Sequence, residues 1–151
     1  MMIRLIWVGR TRDSAAAGWI EDYRRRISRY CPIEITVVRD APGKGRSRPA
    51  REFQALAGKL RGRGLVAVLD EKGKEMTSVE FARFLDKAIT SGSEVSFLLG
   101  GPEGLDPELV AMAGARISLS RLTLTHEMAR VVLMEQIYRA FSILRGMPYH
   151  R

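Results

Sequence analysis

Along the chain, apolar residues switch between short unbroken or alternating runs and stretches where they recur every three to four positions. That succession of strand-like and helix-like segments predicts an α/β domain, with a mainly parallel sheet flanked by helices. Residues 2–8 are apolar apart from Arg4 and read as a first strand. A helix follows over 14–30, with Trp19, Tyr23 and Ile27 at fourfold spacing and Arg24, Arg25, Arg26 and Arg29 on its other side. Residues 33–38, rich in β-branched side chains, predict a second strand. The run 65–69 is continuously apolar, as a strand covered on both faces requires. Residues 94–99 and 115–119 are the fourth and fifth strands.

Between these lie punctuated segments. Pro42, Gly43, Gly45 and Pro49, interleaved with Arg39, Lys44, Arg46 and Arg48, oppose regular structure. They predict a mobile basic loop over 39–49, either a segment that orders on a polyanion or a solvated linker. A helix resumes over 51–61 and stops at Gly62 and Gly64. Thr77-Ser78-Val79-Glu80 is a capping box, and Phe81, Phe84, Leu85 and Ala88 trace one stripe up to Gly92. Asp106 and Pro107 look like the N-cap and first residue of a short helix. The last helix, 126–144, presents Ala129, Leu133, Ile137, Ala140, Phe141 and Leu144 as one apolar face before Gly146 and Pro148 end it.

At 151 residues the chain is expected to form one domain, 1–151. With 46% hydrophobic and 28% charged residues, disorder and disulfide-dense scaffolds are poor explanations. No run is long enough to span a membrane, and the opening Met1-Met2-Ile3-Arg4 does not look like a signal peptide, so a cytoplasmic protein with no membrane partner is expected. Cys31 is the sole cysteine and reads as a reduced structural residue. Charge changes the picture more. The net charge is +8. The 15 basic and 6 acidic residues up to Arg63 carry +9, whereas the 10 basic and 11 acidic residues after it carry −1. Twenty of the 25 basic residues are arginine, which grips phosphate bidentately, so an acidic partner such as nucleic acid fits the first half best.

Several chemistries are excluded by spacing. Gly43-Lys44 lacks the rest of a P-loop, and the glycines after the fourth strand are misplaced for a Rossmann site. His126 and His150 have no partners at metal spacing, so no metal site is expected. What remains is the glycine-rich Gly100-Gly101-Pro102-Glu103-Gly104 at a strand's carboxyl end, where ligands of open α/β sheets sit. Leu69 and the run 118–124 occupy equivalent positions, and the three ends could line one pocket for a flat ring. A tight turn with no ligand is the plainer alternative.

Leu98-Leu99-Gly100-Gly101-Pro102-Glu103-Gly104-Leu105, then Leu119-Ser120-Arg121-Leu122-Thr123-Leu124-Thr125-His126, then Arg130, Tyr138-Arg139-Ala140 and the closing Pro148-Tyr149-His150-Arg151 resemble the ribosomal RNA large-subunit methyltransferase H family. The resemblance covers the whole chain. It implies the SPOUT superfamily fold with a C-terminal trefoil knot, a homodimer, and methyl transfer from S-adenosylmethionine, without a metal. The implied target is N3 of a pseudouridine in 23S rRNA of assembled 70S ribosomes. By position, Leu69, Gly100, Leu119, Ser120, Arg121, Leu122, Thr123 and Leu124 would hold the cofactor.

For the substrate, His150 is the expected contact with the target uracil ring and candidate base for its N3 proton. Tyr149 could stack on a base, Arg151 could pair with phosphate, and Arg130 could face the substrate. His126 reads as a helix-opening structural residue, and Glu103 as a loop organiser. Two rivals stay open: a non-catalytic basic ribosome-binding factor, and a SPOUT methyltransferase acting on tRNA or another rRNA base.

Overall fold

A computed structural model describes residues 1–39, 56–60, 64–92 and 94–151. The basic segment expected over 39–49 therefore lies outside the described residues beyond Arg39, as does the start of the helix expected over 51–61; residues 56–60 of that helix are helical.

The strands are β1 (Met2–Val8), β2 (Ile33–Val38), β3 (Leu65–Glu75), β4 (Glu94–Leu99) and β5 (Ala115–Ser118). They form a sheet of order β2-β1-β4-β3-β5, parallel throughout. A parallel sheet needs cover on both faces, and the alternation of side chains supplies it. Ile3, Leu5 and Trp7 of β1 join Val95, Phe97 and Leu99 of β4, Ala67 and Ile117 in one buried core. The residues between them, Ile6, Val8, Val68 and Leu98, join Val38 in a second.

Helices α1 (Ser14–Ser28), α2 (Ser78–Ser91) and α4 (His126–Leu144) cover the first face, which holds Ile20, Ile27, Leu85, Leu133 and Ile137. Leu56 and Leu60, with Leu109 of α3 (Pro107–Met112), cover the second. Local rules start the helices where expected. The side chain of Asp13 accepts from the N–H of Ala16, Thr77 and Glu80 close the capping box, and Asp106 accepts from the N–H of Glu108 with Pro107 at the first turn. Cys31 is buried, and burial pushes its thiol upward, consistent with an inert structural residue.

Four expectations are corrected. The buried stripe of α1 is Ala16, Ile20, Tyr23 and Ile27, while Trp19 is 53% exposed and stacks on Tyr23 at its edge. That helix stops two residues early because the N–H groups of Tyr30 and Cys31 both turn back to the carbonyl of Ile27. On α4, Leu144 is exposed and Ala129 only half-buried, so the buried face is shorter than its period suggests. The third strand runs on to Glu75: after a register shift Leu69 and Lys74 both oppose Ile117. Gly73 permits this, since a Cβ there would sit 2.6 Å from the Ile117 nitrogen.

Candidate functional site

Parallel pairing brings the carboxyl ends of β3, β4 and β5 to one edge of the sheet. Val68 pairs with Leu98 and Leu69 with Ile117, so Leu69, Gly100 and the segment 119–124 begin at neighbouring strand ends. A groove of about 240 Å³ opens there, lined by Glu75, Met76 and residues 118–122. It contains Leu119, Ser120, Arg121 and Leu122 of the expected cofactor residues. Leu69, Gly100, Thr123 and Leu124 are not part of its lining. Glu75 and Met76 were invisible in the pattern because the apolar run ends at Leu69, and only the irregular extension of β3 carries them here.

The groove's wall is a self-bonded turn. Ser118 Oγ donates to the carbonyl of Ser120 at 3.0 Å, and the N–H of Leu122 donates to Ser120 Oγ at 2.9 Å. Leu122 is left 79% exposed, an apolar surface that solvent alone does not favour. Arg121 reaches only to 4.0 Å from Glu75 between two largely exposed side chains, a pair worth little in water. Next to it, the turn after β4 is built on glycine. Gly104 has φ 78° and its N–H donates to the Gly101 carbonyl at 3.0 Å. A Cβ at Gly100 would collide with the Gly104 carbonyl, so only glycine fits.

Asp70 is tied into the scaffold. It accepts from the Lys72 N–H at 3.0 Å and from Arg116 at 2.7 and 2.9 Å. Burial alone would raise its carboxyl, but these donors hold it below the usual range.

The second cluster sits where α1, α4 and the tail meet. Glu135 Oε1 accepts from Arg139 Nε and Nη2 at 2.9 and 2.6 Å and from the Tyr149 hydroxyl at 3.1 Å. The Tyr23 hydroxyl lies 3.2 Å from that of Tyr149. Burial, these hydroxyl contacts and the carboxylate push the Tyr149 phenol upward, so it stays a donor at neutral pH. Arg139 Nη1 lies 3.1 Å from His150 Nδ1. A guanidinium has hydrogens to give and nothing with which to accept, so Nδ1 is the acceptor and the proton of the neutral ring is on Nε2.

Three of the expected substrate residues are engaged with the protein's own groups. Half-buried Tyr149 has its ring edge-on to Tyr138 at 4.8 Å and Arg139 over a face at 4.8 Å, contacts that anchor the tail. Arg130 is fully buried beneath Trp7, donating to the Val8 carbonyl at 2.6 Å and Thr11 Oγ1 at 3.0 Å, which is a scaffold position. The His150 ring is exposed, with Nδ1 engaged by Arg139. Arg151 is exposed, with Nε donating to the Pro148 carbonyl at 3.1 Å. The N-cap of α4 is Thr125, with His126 the first helical residue behind it.

Beside the tail, Asp22, Arg25, Arg26, Arg29 and Tyr138 line a groove of about 320 Å³. Arg26 is committed to Asp22 at 2.8 Å and to the faces of Tyr23 and Tyr138, while Arg25 lies 3.9 Å from Asp22 with its side chain 68% exposed. Glu135 and Arg139 stand four apart on one helix, a signal the sequence did contain; their contacts with Tyr23, Tyr149 and His150 exist only once the elements pack.

Among the described residues there is no cluster able to hold a metal ion, and no helix is long and apolar enough to cross a membrane. A family model described as a predicted SPOUT methyltransferase matches residues 1–150. The chain is 44% identical, over all of both chains, to a protein of Anaeromyxobacter dehalogenans named ribosomal RNA large subunit methyltransferase H. It is 40% identical, again end to end, to one of the same name from Limosilactobacillus reuteri. Its fold is similar to that of a methylase family protein from Neisseria gonorrhoeae (TM-score 0.57, 15% identity, 96% of this chain and 93% of that one). A tRNA methyltransferase from Aquifex aeolicus shares the fold as well (TM-score 0.56, 13% identity, 99% and 72%).

Proposed function

The chain belongs to the SPOUT methyltransferases, in the family of the ribosomal RNA large subunit methyltransferases H, and on that premise we propose that it methylates N3 of a pseudouridine in 23S rRNA on the assembled 70S ribosome. The observation that carries this reading is the 44% identity over the full length of a relative bearing that name. The active unit is a homodimer of single-domain chains with a C-terminal trefoil knot, working in the cytoplasm. Exposed Leu122 and Trp19 supply apolar surface for a second copy.

The strand-end groove suits S-adenosylmethionine: apolar Leu119 and Leu122 beside the backbone of residues 118–122, and a turn at Gly100 that tolerates no side chain. Leu69, Gly100 and residues 119–124 would hold it. At about 240 Å³ the groove is smaller than the roughly 300–1,000 Å³ of most small-molecule sites, so a further surface from the partner copy completes it. When bound, the cofactor supplies an electrophilic methyl on a sulfonium.

This chain's residues then have two tasks, to align the target ring and to ease loss of its N3 proton. As that proton passes to solvent water, negative charge grows on the ring carbonyl oxygens. The Nε2–H of His150, fixed by Arg139, would donate to one of them, stabilising that charge without itself taking the proton. Arg151, Arg25 and Arg29 would meet phosphates. Titration calorimetry with S-adenosylmethionine tests the cofactor site: micromolar binding is expected for the parent and none for Gly100→Val, whose folded state circular dichroism verifies. A folded parent that binds no S-adenosylmethionine would overturn the reading.

A further inference from the structure

We infer that the segment joining β1 to α1, residues 9–13, is a phosphate-contacting edge of the RNA surface, and that Glu127 and Arg130 are positioning residues that hold it. The inference rests on the ribosomal RNA reading above and adds a surface to it. Gly9-Arg10-Thr11-Arg12-Asp13 has the composition of a loose turn, with a glycine at φ 75° and two arginines. It is instead fastened at almost every residue. The Gly9 N–H donates to the Val38 carbonyl at 2.8 Å. The buried Arg130 guanidinium donates to the Val8 carbonyl and to Thr11 Oγ1. Glu127 Oε1 accepts from the N–H groups of Arg12 and Asp13 at 2.7 and 3.0 Å, and the contact with Asp13 is the main reason its carboxyl is held below the usual range.

Against that fixed backbone, the Arg10 and Arg12 side chains are exposed and make no ion pair or hydrogen bond among the described residues. Two charged side chains of α4 thus hold a turn whose own two cations face solvent. The Gly9–Val38 bond also sets the turn beside exposed Arg39, where β2 runs into the basic segment of the sequence. Three guanidinia on one edge of a molecule carrying +8 suit a polyanion backbone, and a fixed display loses less freedom on binding than a loose one.

The test is filter binding of unmodified 70S ribosomes over a salt series, with steady-state methylation alongside. The double variant Arg10→Ala/Arg12→Ala is expected to weaken binding about tenfold and to flatten the slope of log Kd against log salt by about 2, one per lost phosphate contact. The loss should fall on KM for ribosomes, with S-adenosylmethionine affinity retained. Glu127→Ala, which keeps both arginines, should raise that KM several-fold, and Glu127→Gln, whose amide oxygen still accepts, should recover part of it. Arg83→Ala on α2 is the control for a generic loss of charge. Unchanged binding and slope in the double variant would overturn the inference, as would an equal effect of Arg83→Ala. Binding is read without turnover, so a parent that fails to methylate would sink the enzymatic reading and leave this result to stand separately.

Discussion

The two ends of α4 hold neighbouring segments in different ways. At its start, Glu127 and Arg130 fasten the turn 9–13 to the scaffold, one of them wholly buried. Towards its end, Glu135 and Arg139 fasten the C-terminal tail through Tyr149 and His150, with their side chains partly open to solvent. A buried guanidinium has no water to replace a lost partner, so that end is committed to one geometry. The solvent-facing end is cheaper to disturb, and it presents His150, the ring to which the proposed chemistry is assigned. In the proposed function, one helix serves as frame at one end and as site at the other.

The largest effect should come from breaking the frame. Arg130→Met keeps length and apolar bulk but leaves the Val8 carbonyl and Thr11 hydroxyl without their donor, and is expected to cost about 3 kcal/mol in urea unfolding. A loss below about 1 kcal/mol would mean the two ends do not differ as argued. Next comes the site. His150→Ala should lower the methyl-transfer rate about a hundredfold, the usual value of one donor to developing charge, while stability changes little. His150→Gln sharpens this, because its amide can donate but cannot act as a base at neutral pH. It should keep more activity than the alanine variant, and equal rates for the two would return His150 to the role of base.

Tyr149→Phe should cost less, about 1 kcal/mol in the ordering of the tail, seen as a several-fold loss of rate at unchanged S-adenosylmethionine affinity. The smallest effect is in acid. Glu127 and Asp70 are both held below their ordinary values, so the stability they contribute is fully present above pH 4–5 and is lost as pH falls through the lowered values. The parent should therefore lose more stability than Glu127→Gln or Asp70→Asn between pH 6 and pH 3 in unfolding curves.

The contrast also marks what a sequence can disclose. Strand and helix positions followed from apolar spacing, and the caps Thr77 and Asp106 from chemistry within three residues, whereas the Asp13 cap emerged only in the structure. The extension of β3 to Glu75 did not, because Asp70 to Glu75 is polar and its pairing depends on where Ile117 lies. The tail's residues were legible as candidates through the family resemblance, yet the contacts that hold Tyr149 and Arg130 reach partners as distant as Tyr23 and Val8. Long-range polar contacts leave no period in a chain. Glu127 would pass as an acid favouring a helix's first turn, and its bonds to the residue 12 and 13 amides appear only in three dimensions.

The most direct test incubates the protein with methyl-labelled S-adenosylmethionine and 70S ribosomes lacking the modification, beside separated 50S subunits and tRNA, and maps the label by mass spectrometry. Label is expected on N3 of a single 23S pseudouridine, and only in 70S particles. Label on tRNA or on another base would contradict the assigned target, and ribosome binding with no label at all would contradict the enzyme.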